Sequence, residues 1–184
     1  MENSYISSSI KQFEYYKSLG DKTIDQVTFK DTKTEFADDS NSIAIIVKHM
    51  VGNMLSRWTN FLTEDGEKSW RHRDQEFVEN FNTKVELIDY WNKGWDCLFK
   101  AITPLKKQDL ETIIYIRNEG HTVTEAINRQ LAHYSYHVGQ MVFIGKLIKG
   151  KNWMSLSIPK NKSESYNANK FSKDKGRRHF TDDV

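Results

Sequence analysis

Cysteine is almost missing from this chain. The single Cys97 rules out an internal disulfide, and its neighbours Trp95, Leu98 and Phe99 mark it as a packed, inert thiol rather than a nucleophile. Two prolines and nine glycines in 184 residues favour a few long elements over many short turns. No window approaches the ~20 consecutive apolar residues of a membrane span. The opening Met1-Glu2-Asn3-Ser4-Tyr5-Ile6 lacks the basic-then-apolar order of a signal peptide, so a cytoplasmic protein with no membrane partner is expected. Neither sign of charge dominates, since the net charge is +2. Residues 1–150 carry 19 basic and 21 acidic side chains, and residues 151–184 carry eight and four. The basic bias belongs to the end of the chain. Diluted by acids and with no basic face beside it, that bias does not point to nucleic acid.

What the chain does have is aromatic side chains and helical periodicity. Ile6, Ile10, Phe13 and Tyr16 predict a first helix over 2–19, with Gly20 as its stop. Ile24 and Val27 are read as packing in a short turn of a mostly polar connector. Ser40-Asn41-Ser42 caps a second helix whose stripe is Ile43, Ile46, Val47, Met50, Met54, Trp58 and Phe61. A charged loop covers 63–75, and its His72 reads as solvated. The third helix is expected from about Glu76 to Ala101, with Phe77, Phe81, Val85, Ile88, Trp91, Trp95, Leu98 and Ile102 inward, and Thr103-Pro104 ends it. Thr112-Ile113-Ile114-Tyr115-Ile116 reads as one short strand without a partner, followed by a turn at Asn118-Glu119-Gly120. Thr122 and Glu125 fit a capping box for a fourth helix over about 122–149. The expected fold is all-α, a four-helix bundle over residues 1–159 followed by a basic, partly mobile tail over 160–184. Trp153, Leu156 and Ile158 are expected to lie back on the bundle.

The fourth helix holds His133 and His137, one turn apart on the flank of the apolar stripe. His49 occupies the equivalent shoulder of the second helix. If the two shoulders meet, three neutral imidazoles converge and leave a coordination position open, as catalytic metal sites do. Asn53, Gln130 and Gln140 are the candidates to orient those rings. Tyr136 is expected to point away. His133-Tyr-Ser-Tyr-His137 lacks the glutamate of a zinc-protease helix, and the Glu-x-x-His of di-iron bundles is missing too.

The stretches Ile46-Val47-Lys48-His49-Met50 and His133-Tyr-Ser-Tyr-His137-Val-Gly-Gln140 resemble the DinB/YfiT-like superfamily, and more narrowly its DUF1572 branch. Asp65-Gly66-Glu67-Lys68-Ser69-Trp70-Arg71-His72-Arg73-Asp74, the run Gly120–Gln130 and Trp153-Met154-Ser155-Leu156-Ser157-Ile158-Pro159 carry the same resemblance. It implies a bundle with crossover connections, a homodimer, and a divalent metal, zinc or nickel foremost, on His49, His133 and His137. Members of the wider superfamily are metal-dependent transferases or isomerases that use a low-molecular-weight thiol such as bacillithiol, mycothiol or glutathione. By that analogy the chain is a metal-dependent thiol S-transferase acting on a small-molecule substrate. The basic loop around Arg71, His72 and Arg73, or Arg129 on the fourth helix, is the candidate to hold the thiol's carboxylates, and His121 to act as a weak fourth ligand or gate. The rival reading is a non-catalytic, stress-related dimeric bundle that merely binds metal.

Overall fold

The computed structural model describes residues 4–183, and most of that stretch is helical. In chain order the elements are α1 (Ser4–Gln26), a single turn α2 (Phe29–Thr32), α3 (Ile43–Trp58), α4 (Lys84–Ile102), the strands β1 (Ile113–Ile116) and β2 (Glu119–Thr122), α5 (Val123–Lys149) and α6 (Ser163–Phe171). The long helices are α1, α3, α4 and α5. The main packing partners are α3 with α4 and α1 with α5, while α3 also meets α5 and α1 meets α4. Among the described residues no helix is long and apolar enough to cross a membrane.

The core follows from the stripes. Ile43, Ile46, Val47, Met50, Met54 and Trp58 of α3 are all buried, as are Leu87, Trp91, Trp95, Leu98 and Ile102 of α4. Each such side chain contributes about 1.5–3 kcal/mol when fully withdrawn from water. At the centre, Phe13 of α1, Trp95 of α4 and Tyr134 of α5 meet edge-on, with ring centroids 5.9–6.4 Å apart. The buried Tyr134 hydroxyl accepts from Trp58 Nε1 (3.1 Å) and donates to Asn53 Oδ1 (3.0 Å), so its polar end is satisfied. α5 starts where its capping box places it: Thr122 and Glu125 bond reciprocally.

Four local expectations give way to packing. The first helix does not stop at Gly20 but continues to Gln26; the expected start at residue 2 lies outside the described residues. Gly20 serves close approach instead, because a Cβ there would overlap the Trp91 ring. Ile24 and Val27 are core residues, and Thr28 and Asp31 form a capping box for α2. The third long helix begins at Lys84, not at Glu76. Thr83 accepts from Glu86 N (3.1 Å) and Glu86 accepts from Asn82 N (2.8 Å), which is cap chemistry that overrides the apolar spacing of Phe77, Phe81 and Val85. Val85 is exposed, Phe81 is buried from outside the helix, and residues Arg73–Phe77 make a 3-10 turn.

The short strand does have a partner. β1 and β2 pair antiparallel with Ile114 opposite His121, so the fold is not purely helical. Their connection is Arg117-Asn118, both in the left-handed region (φ 57° and 61°), the conformation that two-residue hairpins need. Beyond α5, Trp153 packs over Gly145, and Gln26 bonds the backbone of Met154 in both directions. α6 buries none of its residues. The following turn nonetheless lies on α1, through Ser8–His179 (3.0 Å), Lys11–Asp182 (2.5 Å) and the Tyr15–Phe180 ring pair.

Candidate metal centre

The shoulders of α3 and α5 meet. His49 Nε2 lies 3.4 Å from His133 Nε2, which lies 3.1 Å from His137 Nε2. One nitrogen from each of the three rings falls within 4.8 Å of the others. Two nitrogens held ~2.05 Å from one ion at a tetrahedral angle are themselves ~3.3 Å apart, so the spacing fits a common ion.

The other ring nitrogens decide the tautomers. His49 Nδ1 faces Glu76 Oε2 (3.0 Å), His133 Nδ1 faces Gln130 Oε1 (3.4 Å), and His137 Nδ1 faces Gln140 Oε1 (2.8 Å). Each acceptor fixes a proton on Nδ1 and leaves an Nε2 lone pair aimed at the shared point. Three lone pairs converging without a donor between them suit a cation. No fourth histidine, cysteine or carboxylate joins this group among the described residues.

Burial pushes His133 down to about 3, with the His137, His49, Arg57 and Arg71 charges adding to it. Burial likewise lowers His137 to about 4, against the bond to Gln140. Both rings are therefore neutral at neutral pH. Burial alone would raise the Glu76 carboxyl, but the bonds from His49 and Arg71 outweigh it and hold it below the ordinary range. Arg71 grips both oxygens of Glu76, Nε to Oε1 at 2.7 Å and Nη2 to Oε2 at 3.0 Å. Gly52 of α3 makes room, since a Cβ there would collide with the Glu76 carboxylate. A chain of contacts thus runs from Arg71 through Glu76 to His49.

Glu76 and its neighbour Phe77, which stacks on His49 at 5.2 Å, escaped the sequence reading because their spacing suited a helix start. The turn at Arg73–Phe77 carries both to α3 instead. Asn53 does not orient His49; its oxygen serves Tyr134, although its side chain lines the same cavity. Tyr136 does not point away. Its ring lies 4.7 Å from that of His137, and its hydroxyl accepts from Gln140 Nε2 (3.1 Å), which fixes that amide's oxygen toward the histidine.

A cavity of about 230 Å³ opens beside the triad, with His49, His133, Asn53 and Gln130 in its wall and Arg71 and Arg129 among the rest of its lining. His121 is not part of that wall. It sits half-buried on β2, and its Nε2 has no partner among the described residues. His72 is exposed, as expected of a loop histidine.

Residues 1–162 match the family described as "Protein of unknown function (DUF1572)". No curated protein and no solved structure matches the chain.

Proposed function

The chain belongs to the DUF1572 family, and from that premise we propose that it is a divalent-metal-dependent enzyme whose ligands are His49, His133 and His137. One observation carries this reading: three Nε2 atoms converge with every Nδ1 occupied, and among the described residues a cavity lined by His49 and His133, rather than a fourth histidine, cysteine or carboxylate, lies beside them. A metal closed by four protein ligands would suit a structural role; three ligands beside a cavity suit chemistry. When bound, a divalent ion would lower the pKa of a thiol at its open position and make it a nucleophile near neutral pH. The protein's part is to keep His133 and His137 neutral, hold all three rings through Glu76, Gln130 and Gln140, and wall off the cavity.

The finer reading is a DinB/YfiT-like four-helix bundle over residues 1–159 with a basic tail over 160–184, acting in the cytoplasm as a homodimer on a small molecule. Supporting it, α1 and α3 are successive long helices, yet α1 packs mainly on α5 and α3 mainly on α4, as a crossover connection allows. The reaction would be an S-transfer. The thiol sulfur bonds to an electrophilic carbon, the leaving group departs with its bonding pair, and the thiol proton passes to water. Zinc and nickel are the metals first to be tried.

The test starts from protein purified without a His-tag or chelator. Elemental analysis is expected to give one divalent metal per chain, lost when all three histidines are changed to alanine. Zinc- or nickel-loaded protein is expected to accelerate conjugation of bacillithiol, mycothiol or glutathione to a bimane-type electrophile. Stoichiometric metal without turnover for any of these thiols would favour the non-catalytic, stress-related bundle.

A further inference from the structure

The cavity beside the triad is positive beyond what its own carboxylates can neutralise. Besides Arg71 and Arg129, the guanidinium groups of Arg57, Arg73 and Arg117 line it, five in all. Two carboxylates serve them. Glu67 Oε2 is shared by Arg57 (3.1 Å), Arg71 (3.4 Å) and Arg117 (3.2 Å), and Glu76 is taken up by Arg71 and His49. The Asp65 carboxylate also lies within electrostatic reach of Arg57, so five guanidinium groups face three carboxylates before any metal is counted. Arg73 and Arg129 have no ion-pair partner among the described residues; Arg73 instead lies over Phe77, the ring stacked on His49. Deeper in, the Arg57 side chain is 6% exposed, and its Nε–H has no acceptor among the described residues.

Like charges gathered this closely repel one another, and guanidinium forks match the geometry of carboxylate and phosphoryl oxygens. We propose that the site takes a small oxyanion, a carboxylate- or phosphoryl-bearing molecule, held by Arg73 and Arg129 with Arg57 behind them. A cavity of about 230 Å³ that opens to solvent has room for one anionic group and a short carbon chain. The inference rests on the metal reading only for where the reactive end of the bound molecule points, namely toward His49 and His133.

Calorimetric titration of inorganic phosphate and of succinate, at fixed ionic strength set with chloride, tests it on metal-free and zinc-loaded protein. Saturable binding of at least one is expected, and which one distinguishes a phosphoryl from a carboxylate ligand. The double variant R73A/R129A is expected to bind at least about tenfold more weakly. The K160A/K162A variant, which removes two charges from the tail, is expected to bind as the parent does. Absence of saturable binding to the parent, or equal binding by R73A/R129A, overturns the proposal. Arginine-dependent anion binding by protein that takes up no zinc would sink the metal reading and leave this one standing.

Discussion

An imidazole that donates from Nδ1 can offer a partner only its Nε2, and here that choice is made three times by three different acceptors. The acceptors are not equivalent. Two are amides one turn away on the same helix, whereas Glu76 arrives from a loop, carries a full charge and is clamped by Arg71. On the proposed metal reading, Glu76 is therefore the acceptor expected to influence metal affinity most. A carboxylate makes its histidine more basic and fixes its plane, and loss of such a partner typically weakens metal binding by about 10- to 100-fold. Glu76→Gln is expected to fall in that range in a competition titration against a zinc chelator dye, with little change in secondary structure by circular dichroism. Affinity equal to the parent's would mean that His49 is oriented by its stack on Phe77 instead.

At the scale of elements, the helices that hold the three histidines were legible because both have regular stripes and strong caps. Ser42 and Thr122 cap where their side-chain chemistry says they should. The triad was legible for the same reason, since a histidine's place on a helix face follows from its position in the repeat. The loop between α3 and α4 was not. Its path is set by pairings far apart in sequence, which local pattern cannot carry: Gly66 N bonds Tyr115 O at 2.8 Å, and the Asp65 carboxylate accepts from Arg117 N and Asn118 N, both at 2.9 Å. Those bonds tie the hairpin turn to the loop and so place Arg117 at the cavity, where Arg57 of α3 already stands. Asp65→Ala removes a half-exposed carboxylate with three backbone donors, Glu67 N being the third. The expected cost is about 1–2 kcal/mol, and the thermal midpoint should drop by about 2–8 °C. Hydrogen exchange is expected to speed up at residues 113–122 while α3 and α5 keep their protection. Uniform exchange across the chain would show that hairpin and helices open as one unit.

For the whole molecule, the two imidazoles of His133 and His137, held neutral by burial, make folding depend on pH in a direction fixed by the sign of their shifts. His133 and His137 are lowered to about 3 and about 4 in the folded protein, below an ordinary value near 6.5. Above about 6.5 neither the folded nor the unfolded chain holds these protons, and they cost nothing. As pH falls below that value the unfolded chain takes up two protons that the folded one refuses, so stability is lost progressively, and the loss levels out only near pH 3. Between pH 7.5 and 5.5 ordinary carboxylates stay ionised, which isolates the histidines. Over that window the urea midpoint of metal-free protein is expected to fall as the solution is acidified. A variant with both residues changed to glutamine should show a much shallower slope. Saturating zinc should raise the midpoint at pH 7.5, since a ligand at about 100 times its Kd adds about 2.7 kcal/mol. An unchanged slope in the double variant would trace the acid sensitivity to other groups and leave the triad no part in the molecule's stability.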